Sequence, residues 1–185
     1  MKISCAAISG IIVIEPTTYT DERGIFFETY HIERYAAAGI GTSFPQDNRS
    51  VSKKNVLRGL HYQVKHPQGH LVTLTRGTIF DVGVDLRRGS PTFGHVFTIT
   101  LTAEHPRQVF HPPGIAHGFC VLSDVAEIWY KCTERYFADD EGGLLWSDPD
   151  LAIDWPLKSP IVSSRDAAYP RLKDIAADHL PHVRA

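Results

Sequence analysis

The chain has 185 residues, enough for one ordinary domain with a proper core. Hydrophobic residues make up 43% and charged ones 22%, and 19 basic against 21 acidic side chains leave a net charge of -2, so nothing electrostatic favours a nucleic-acid backbone as partner. No apolar run approaches the roughly 20 residues that cross a bilayer, and residues 1–10 lack the apolar stretch and cleavage site of a secretory signal, so no membrane partner is expected and the cytoplasm is the default location.

Residues 11–14 form a short apolar strand closed by Pro16, and residues 25–29 a second one after a turn that carries Asp21, Glu22, Arg23 and Gly24. Residues 32–38 suit a short helix that stops at Gly39. The polar stretch 44–50, FPQDNRS, carries a proline and reads as an edge strand or loop; if it is extended, Gln46 and Asn48 share a face. Next comes NVLRGLHYQ, residues 55–63, which reads as a strand with Arg58 and His61 three residues apart. In a regular strand those two side chains lie on opposite faces, so a kink at Gly59 is needed to bring both to one cavity.

Residues 71–75 and 78–85 look like a hairpin across Arg76 and Gly77, and residues 93–101 continue with alternating apolar and polar side chains. Residues 108–111 are short, and Pro112, Pro113 and Gly114 turn the chain into 117–122; residues 126–132 follow, with Trp129 and Tyr130 on opposite faces. Strand after strand at this spacing predicts an all-β sandwich or barrel with its edges hidden by closure or by a partner. The tail from residue 153 onward is interrupted by prolines, with a short helix expected at 171–179, and it packs outside the sheets as an extension of a single domain spanning 1–185. Cys5, Cys120 and Cys132 are odd in number and lack metal-site spacing, which fits reduced thiols, with the last two buried.

Ten histidines are many for this length, and His61, His70 and His117 fall on central strands or turns. Two chemistries compete for them. Pro112, Gly114 and His117 match the P-x-G-x-x-H pattern of the second cupin motif, so a jelly roll could gather His61, Gln63 and His117 around a metal; a neutral amide beside imidazole is a weak ligand for a transition ion. The alternative needs no metal: a histidine oriented by a carboxylate lifts a proton from a carbon beside a carbonyl, and Tyr130, among apolar neighbours, returns one. Arg58, Arg23 and Lys131 are candidate phosphate-binding cations.

Five segments, DERGIFFE (21–28), FPQDNRSVSKKNVLRGLHYQ (44–63), DVGVDLRRGSPTFG (81–94), PPGIAHGFCVLS (112–123) and WSDPDLAIDWP (146–156), in this order resemble the signatures of the dTDP-4-dehydrorhamnose 3,5-epimerase family, a cofactor-independent branch of the cupins. The resemblance implies a cupin-type jelly roll with no cofactor and no metal, acting on a dTDP-4-keto-6-deoxyhexose. It implies that His61 is the base, Asp166 its orienting carboxylate and Tyr130 the acid on the opposite face. It further implies that Arg23, Glu28, Gln46, Asp47, Asn48, Arg58, His70, His117, Glu141 and Arg165 hold the nucleotide, diphosphate or sugar, and that the chain is a homodimer exchanging a segment of about residues 1–50. A single-site 3- or 5-epimerase and a non-catalytic sugar-nucleotide-binding cupin remain open beside it. Two positions depart from the family pattern. His70 stands where the family usually has lysine, so it must be protonated, donate as a neutral ring, or serve another substrate; Tyr136 is followed by Phe137, where a second tyrosine is common.

Overall fold

The computed structural model describes residues 1–41 and 43–181; the last four positions of the expected C-terminal extension lie outside them. Two antiparallel sheets face each other. One has the order β1-β2-β10-β7-β12-β5, built from Lys2–Cys5 (β1), Ile12–Glu15 (β2), Gln108–His111 (β10), His70–Arg76 (β7), Val125–Cys132 (β12) and Gln46–Lys53 (β5). The other has the order β13-β6-β11-β8-β9, built from Glu141–Gly143 (β13), Leu57–Gln63 (β6), Ile115–Val121 (β11), Thr78–Asp85 (β8) and Val96–Thr102 (β9). Thr18–Asp21 (β3) and Gly24–Phe27 (β4) pair only with each other. This is a jelly-roll sandwich, with no closed barrel among the described residues, and its core lies where the alternating inward side chains of both sheets meet. Val72, Leu74 and Ile128 from the first sheet pack there with Ile79, Leu101, Phe119 and Val121 from the second.

The expected hairpin of 71–75 with 78–85 does not form. β7 pairs with β10 and β12 while β8 pairs with β11 and β9, so the chain changes sheets at Gly77. A Cβ there would stand 2.1 Å from the Val125 carbonyl oxygen, and its φ is +83°, so the glycine expected to make a hairpin makes a sandwich corner instead. The helix expected at 171–179 is two short 3₁₀ turns, Leu172–Asp174 and Ala177–His179. Upstream, Ser163 caps the four-residue helix Ser164–Ala167 (α2) by accepting from the Asp166 N–H at 3.0 Å. The first helix, Ile32–Ala37 (α1), ends before Gly39 as expected, and the polar stretch at 46–53 is an edge strand.

Gly59 does what its place in the sequence requires. β6 pairs with β11 through His61↔His117 and Phe119↔Arg58, so three steps on β6 match two on β11 and one extra residue is bulged out. The bulge brings Arg58 and His61, which a regular strand would separate, to the same cavity. Gly59 has a φ of +114°, and a Cβ on it would lie 2.7 Å from both Gly118 Cα and the His117 carbonyl oxygen. Gly59→Ala is expected to lower stability by about 2–4 kcal/mol, from the positive φ and the backbone clash together, and to misplace both side chains. Thermal unfolding and turnover of the variant check this; an unchanged melting temperature with wild-type activity would contradict it.

Candidate active site

Residues of both sheets line a cavity of about 600 Å³, within the range that takes a small ligand. β5, β7 and β12 of the first sheet contribute Gln46, Asn48, His70 and Tyr130; β6 and β11 of the second contribute Arg58, His61 and His117. Glu141 on β13, Tyr136 and Arg165 close the rim. His61 and Tyr130 therefore stand on facing walls.

His61 is held from behind. Its Nε2–H donates to Asp166 Oδ1 at 2.9 Å, and the Gly59 N–H donates to Asp166 Oδ2 at 3.1 Å. Burial pushes the Asp166 carboxyl up, but the His61 and Gly59 hydrogen bonds and the imidazole charge outweigh that and bring it down to about 2. An ionised carboxylate only accepts, so Nε2 of His61 carries the hydrogen, and the neutral form of the ring has its lone pair on Nδ1. The ring meets Tyr169 edge-on with centroids 5.9 Å apart, and the Tyr169 hydroxyl donates to Glu141 Oε1 at 3.1 Å. Arg165 completes this wall through Glu141, at 3.0 Å.

On the opposite wall, burial raises the Tyr130 phenol, with Cys132 adding to the effect and hydrogen bonding to Asn48 opposing it, so it keeps its proton at neutral pH. His70 lies edge-on to Tyr130, with centroids 5.3 Å apart, and to His117 at 5.5 Å. Gln68 donates from Nε2 to the Glu134 carbonyl at 2.6 Å, which leaves its Oε1 to accept from His70 Nε2–H at 3.3 Å. Burial, with His117, His111 and His61 nearby, takes His70 well below the ordinary histidine value. Of the three options open in the sequence, a cationic His70 is therefore the one this pocket disfavours.

Gln46, Asn48, Arg58, His70, His117, Glu141 and Arg165 all line the cavity, together with His61 and Tyr130. Asp47 also borders it but is engaged by Lys131 at 3.0 Å. Arg58 Nε donates to Ser52 Oγ at 3.0 Å, which leaves the outer edge of its guanidinium for phosphate oxygens. Arg23 and Glu28 are elsewhere. Arg23 pairs with Asp21 in the isolated hairpin and Glu28 with Arg34, and neither borders the cavity of its own chain.

Gln63 has no amide left for a metal: its Oε1 accepts from the Phe137 N–H at 2.7 Å, and its Nε2 donates to the carbonyls of His66 and Arg135. Among the described residues the group with ligand-atom spacing is Asp81, His111 and His117, with one ligand atom from each within 4.8 Å of the others. Asp81 and His111 were not picked out by sequence reasoning, nor was Tyr169. The available signals were a lone aspartate inside the apolar run 79–84 and a histidine directly before Pro112.

A jelly roll with a histidine–carboxylate pair on one wall of its mouth and a phenol on the other has the makings of a cupin that moves protons. The chain matches the family model described as dTDP-4-dehydrorhamnose 3,5-epimerase over residues 5–174. It is 49% identical over 168 residues to the dTDP-4-dehydrorhamnose 3,5-epimerase of Pseudomonas aeruginosa, covering 90% of this chain and 93% of that one. The solved dTDP-6-deoxy-D-glucose-3,5-epimerase of Legionella pneumophila, in complex with dTDP-4-keto-L-rhamnose, superposes with a TM-score of 0.96 at 47% identity, covering 100% and 99% of the two chains. A 3'-monoepimerase from Streptomyces bikiniensis, in complex with dTDP-quinovose, is more distant, with a TM-score of 0.88 at 34% identity and coverage of 96% and 91%. The chain belongs to the dTDP-4-dehydrorhamnose 3,5-epimerase family, and it is an isomerase.

Proposed function

We propose that the protein converts dTDP-4-dehydro-6-deoxy-D-glucose into dTDP-4-dehydro-L-rhamnose by inverting both carbons beside the ketone, with His61 as base and Tyr130 as acid. The observation that carries this reading is the placement of the two groups on facing sheets of one cavity. The ketone acidifies the neighbouring C–H bonds. His61 Nδ1 takes a proton from one face, a planar enolate forms, and the Tyr130 hydroxyl delivers a proton to the other face. Asp166 stabilises the imidazolium between the two events, and exchange with solvent then takes the proton from His61 and restores that of Tyr130 before the second carbon is inverted. Arg58 and Arg165 are the cations at hand for the diphosphate, and Gln46 and Asn48 offer amides to the nucleotide or sugar.

Incubation in deuterated water tests the count of inverted carbons. Deuterium is expected at both carbons beside the ketone, in product of inverted configuration at each, as read by NMR and mass spectrometry. Label at one carbon only would replace this reading with that of a single-site epimerase, as in the Streptomyces bikiniensis relative.

The site is completed by a second copy of the chain. β3 and β4 form an exposed two-stranded hairpin bearing Tyr19, Ile25 and Phe26, which are 64%, 55% and 71% exposed. A lone hairpin with bare apolar side chains is marginal in water, so docking on a partner explains both its survival and the distance of Arg23 from its own cavity. Val51 and Trp129 add exposed apolar surface on β5 and β12. In a homodimer of this kind Arg23 and Glu28 of each hairpin complete the other protomer's pocket. Mixing a His61→Asn protein with an Arg23→Glu protein is then expected to generate activity that neither shows alone, because half of the sites in each mixed dimer carry no substitution. Absence of any recovery, with mixed dimers shown to form, would contradict the shared site.

The cytoplasm is the proposed location. Among the described residues no helix is long and apolar enough to cross a membrane, and the three cysteines are free thiols, two of them buried, as a reducing compartment keeps them.

A further inference from the structure

The proton transfers above leave two buried ionisable groups behind the pocket without a task. Asp81 on β8 is fully buried, and its carboxylate is shared: Oδ1 accepts from His111 Nε2–H and Oδ2 from His117 Nε2–H, each at 2.7 Å. The two rings lie beside each other with centroids 4.4 Å apart and planes 31° apart. Burial raises the Asp81 carboxyl, yet the two imidazoles more than reverse this and hold it well below the usual carboxylate range. Asp81 is therefore a pure acceptor, so both histidines carry hydrogen on Nε2, and the neutral form of either ring has its lone pair on Nδ1.

The two histidines differ in what Nδ1 meets. His111 Nδ1 is buried without a hydrogen-bond partner, and a Cβ on Gly83 would come within 2.8 Å of it. A second proton on His111 would be a buried, unpaired donor, so this ring stays neutral. His117 instead borders the cavity. The ionisable groups around it are Asp81 from β8, His111 from β10, His70 from β7 and, opposite in register on β6, His61. Among these, Asp81 is the one hydrogen-bonded to it, so the orientation of that carboxylate decides the His117 tautomer.

We propose that His111 is a positioning residue: by occupying one oxygen of Asp81 it commits the other to His117 Nε2–H, which pins His117 in the tautomer that offers Nδ1 to the bound sugar nucleotide. The tie between this clamp and ligand binding rests on the reading of the cavity as the sugar-nucleotide site. Without the His111 donor, one oxygen of a fully buried carboxylate has no partner. Asp81 then turns, hydrates or takes up a proton, and His117 is free to carry hydrogen on Nδ1 instead.

The test uses histidine labelled with ¹⁵N in the full-length protein, with His117 assigned by the resonances lost in His117→Gln. Wild-type His117 is expected to show a protonated Nε2 and an unprotonated Nδ1. His111→Phe keeps a flat ring but has no donor; it is expected to populate the other His117 tautomer and to raise KM for the dTDP-sugar about tenfold, the effect of one lost hydrogen bond, with kcat changed far less. His111→Gln, which returns an amide N–H toward Asp81, is expected to restore both. An unchanged His117 tautomer in folded His111→Phe would overturn the proposal, as would a Gln variant no better than the Phe variant. Stoichiometric metal on both Nε2 atoms would overturn it too. If His111→Phe does not fold, the wild-type spectrum still decides, since Nδ1–H on His117 contradicts the clamp. Deuterium incorporation reads different atoms, so failure of the epimerisation reading leaves the tautomer result standing, and the reverse holds as well.

Discussion

Asp166→Asn is expected to cut turnover by about 10²- to 10⁴-fold while dTDP binds as before, and His61→Asn to cut it at least as far. The asparagine case is the more informative because its amide has little choice of orientation. The Gly59 N–H at 3.1 Å needs an acceptor, so the amide oxygen turns to Gly59 and the amide N–H turns to His61. Imidazole Nε2 must then accept, its hydrogen moves to Nδ1, and the atom that should attack the C–H bond carries no lone pair. Shape and volume are preserved while the tautomer is reversed. The barrier rises by about 3–5 kcal/mol at 1.36 kcal/mol per tenfold. Steady-state turnover and deuterium washout from the substrate measure the loss, and calorimetry with dTDP shows whether binding is kept. Exchange within tenfold of wild type in His61→Asn would mean that another group is the base, and in Asp166→Asn that the carboxylate does not set the tautomer of His61.

How much of this could be read in the sequence depended on whether a feature was local. The bulge at Gly59 was legible because a glycine between Arg58 and His61 has few other uses in a strand. Pro45 and a polar pattern left 44–50 as an edge strand or a loop, and sheet pairing makes it the edge strand β5; the helix stop followed from Gly39. Gly77 misled, because a glycine between two apolar strands fits a hairpin and a corner between sheets equally well, and only the long-range pairing of β7 with β10 and β12 decides. β1 was missed because the alternation in Lys2–Cys5 runs over only four residues, all of them exposed; its pairing with β2 is what makes it a strand. The site divides in the same way. Asp166 lies 105 residues from His61, and no periodicity links them; the family resemblance supplied the pairing. Asp81 and His111 had no such help, since a buried carboxylate between two imidazoles exists only once β8, β10 and β11 are assembled. Arg23 and Glu28 were placed in the pocket by resemblance, and a single chain leaves them on its exterior.

Tyr130→Phe is expected to separate two events that wild type performs together. Burial raises the phenol, so at neutral pH it is a proton donor, and its removal takes away the acid on one wall. The phenylalanine ring can still lie against His70, which Tyr130 meets edge-on at 5.3 Å, so the wall keeps its shape. His61 on the other sheet and Asp166 on α2 are untouched. Proton removal should continue, and the imidazolium can return hydrogen, or deuterium gained from solvent, only to the face it came from. The expected result is therefore substrate that acquires deuterium with its configuration retained, at a rate within about tenfold of wild-type exchange, while formation of inverted product falls by about 10²- to 10⁴-fold. Chiral analysis of the recovered sugar by NMR, beside its deuterium content, gives both numbers from one incubation. If exchange and inversion fall together by the same factor, Tyr130 acts before or during C–H cleavage, as a donor to the ketone oxygen for example. If inversion persists, the second proton comes from elsewhere on that wall. Only a base and an acid divided between the two sheets predict that loss of the acid spares the isotope exchange and abolishes the change of hand.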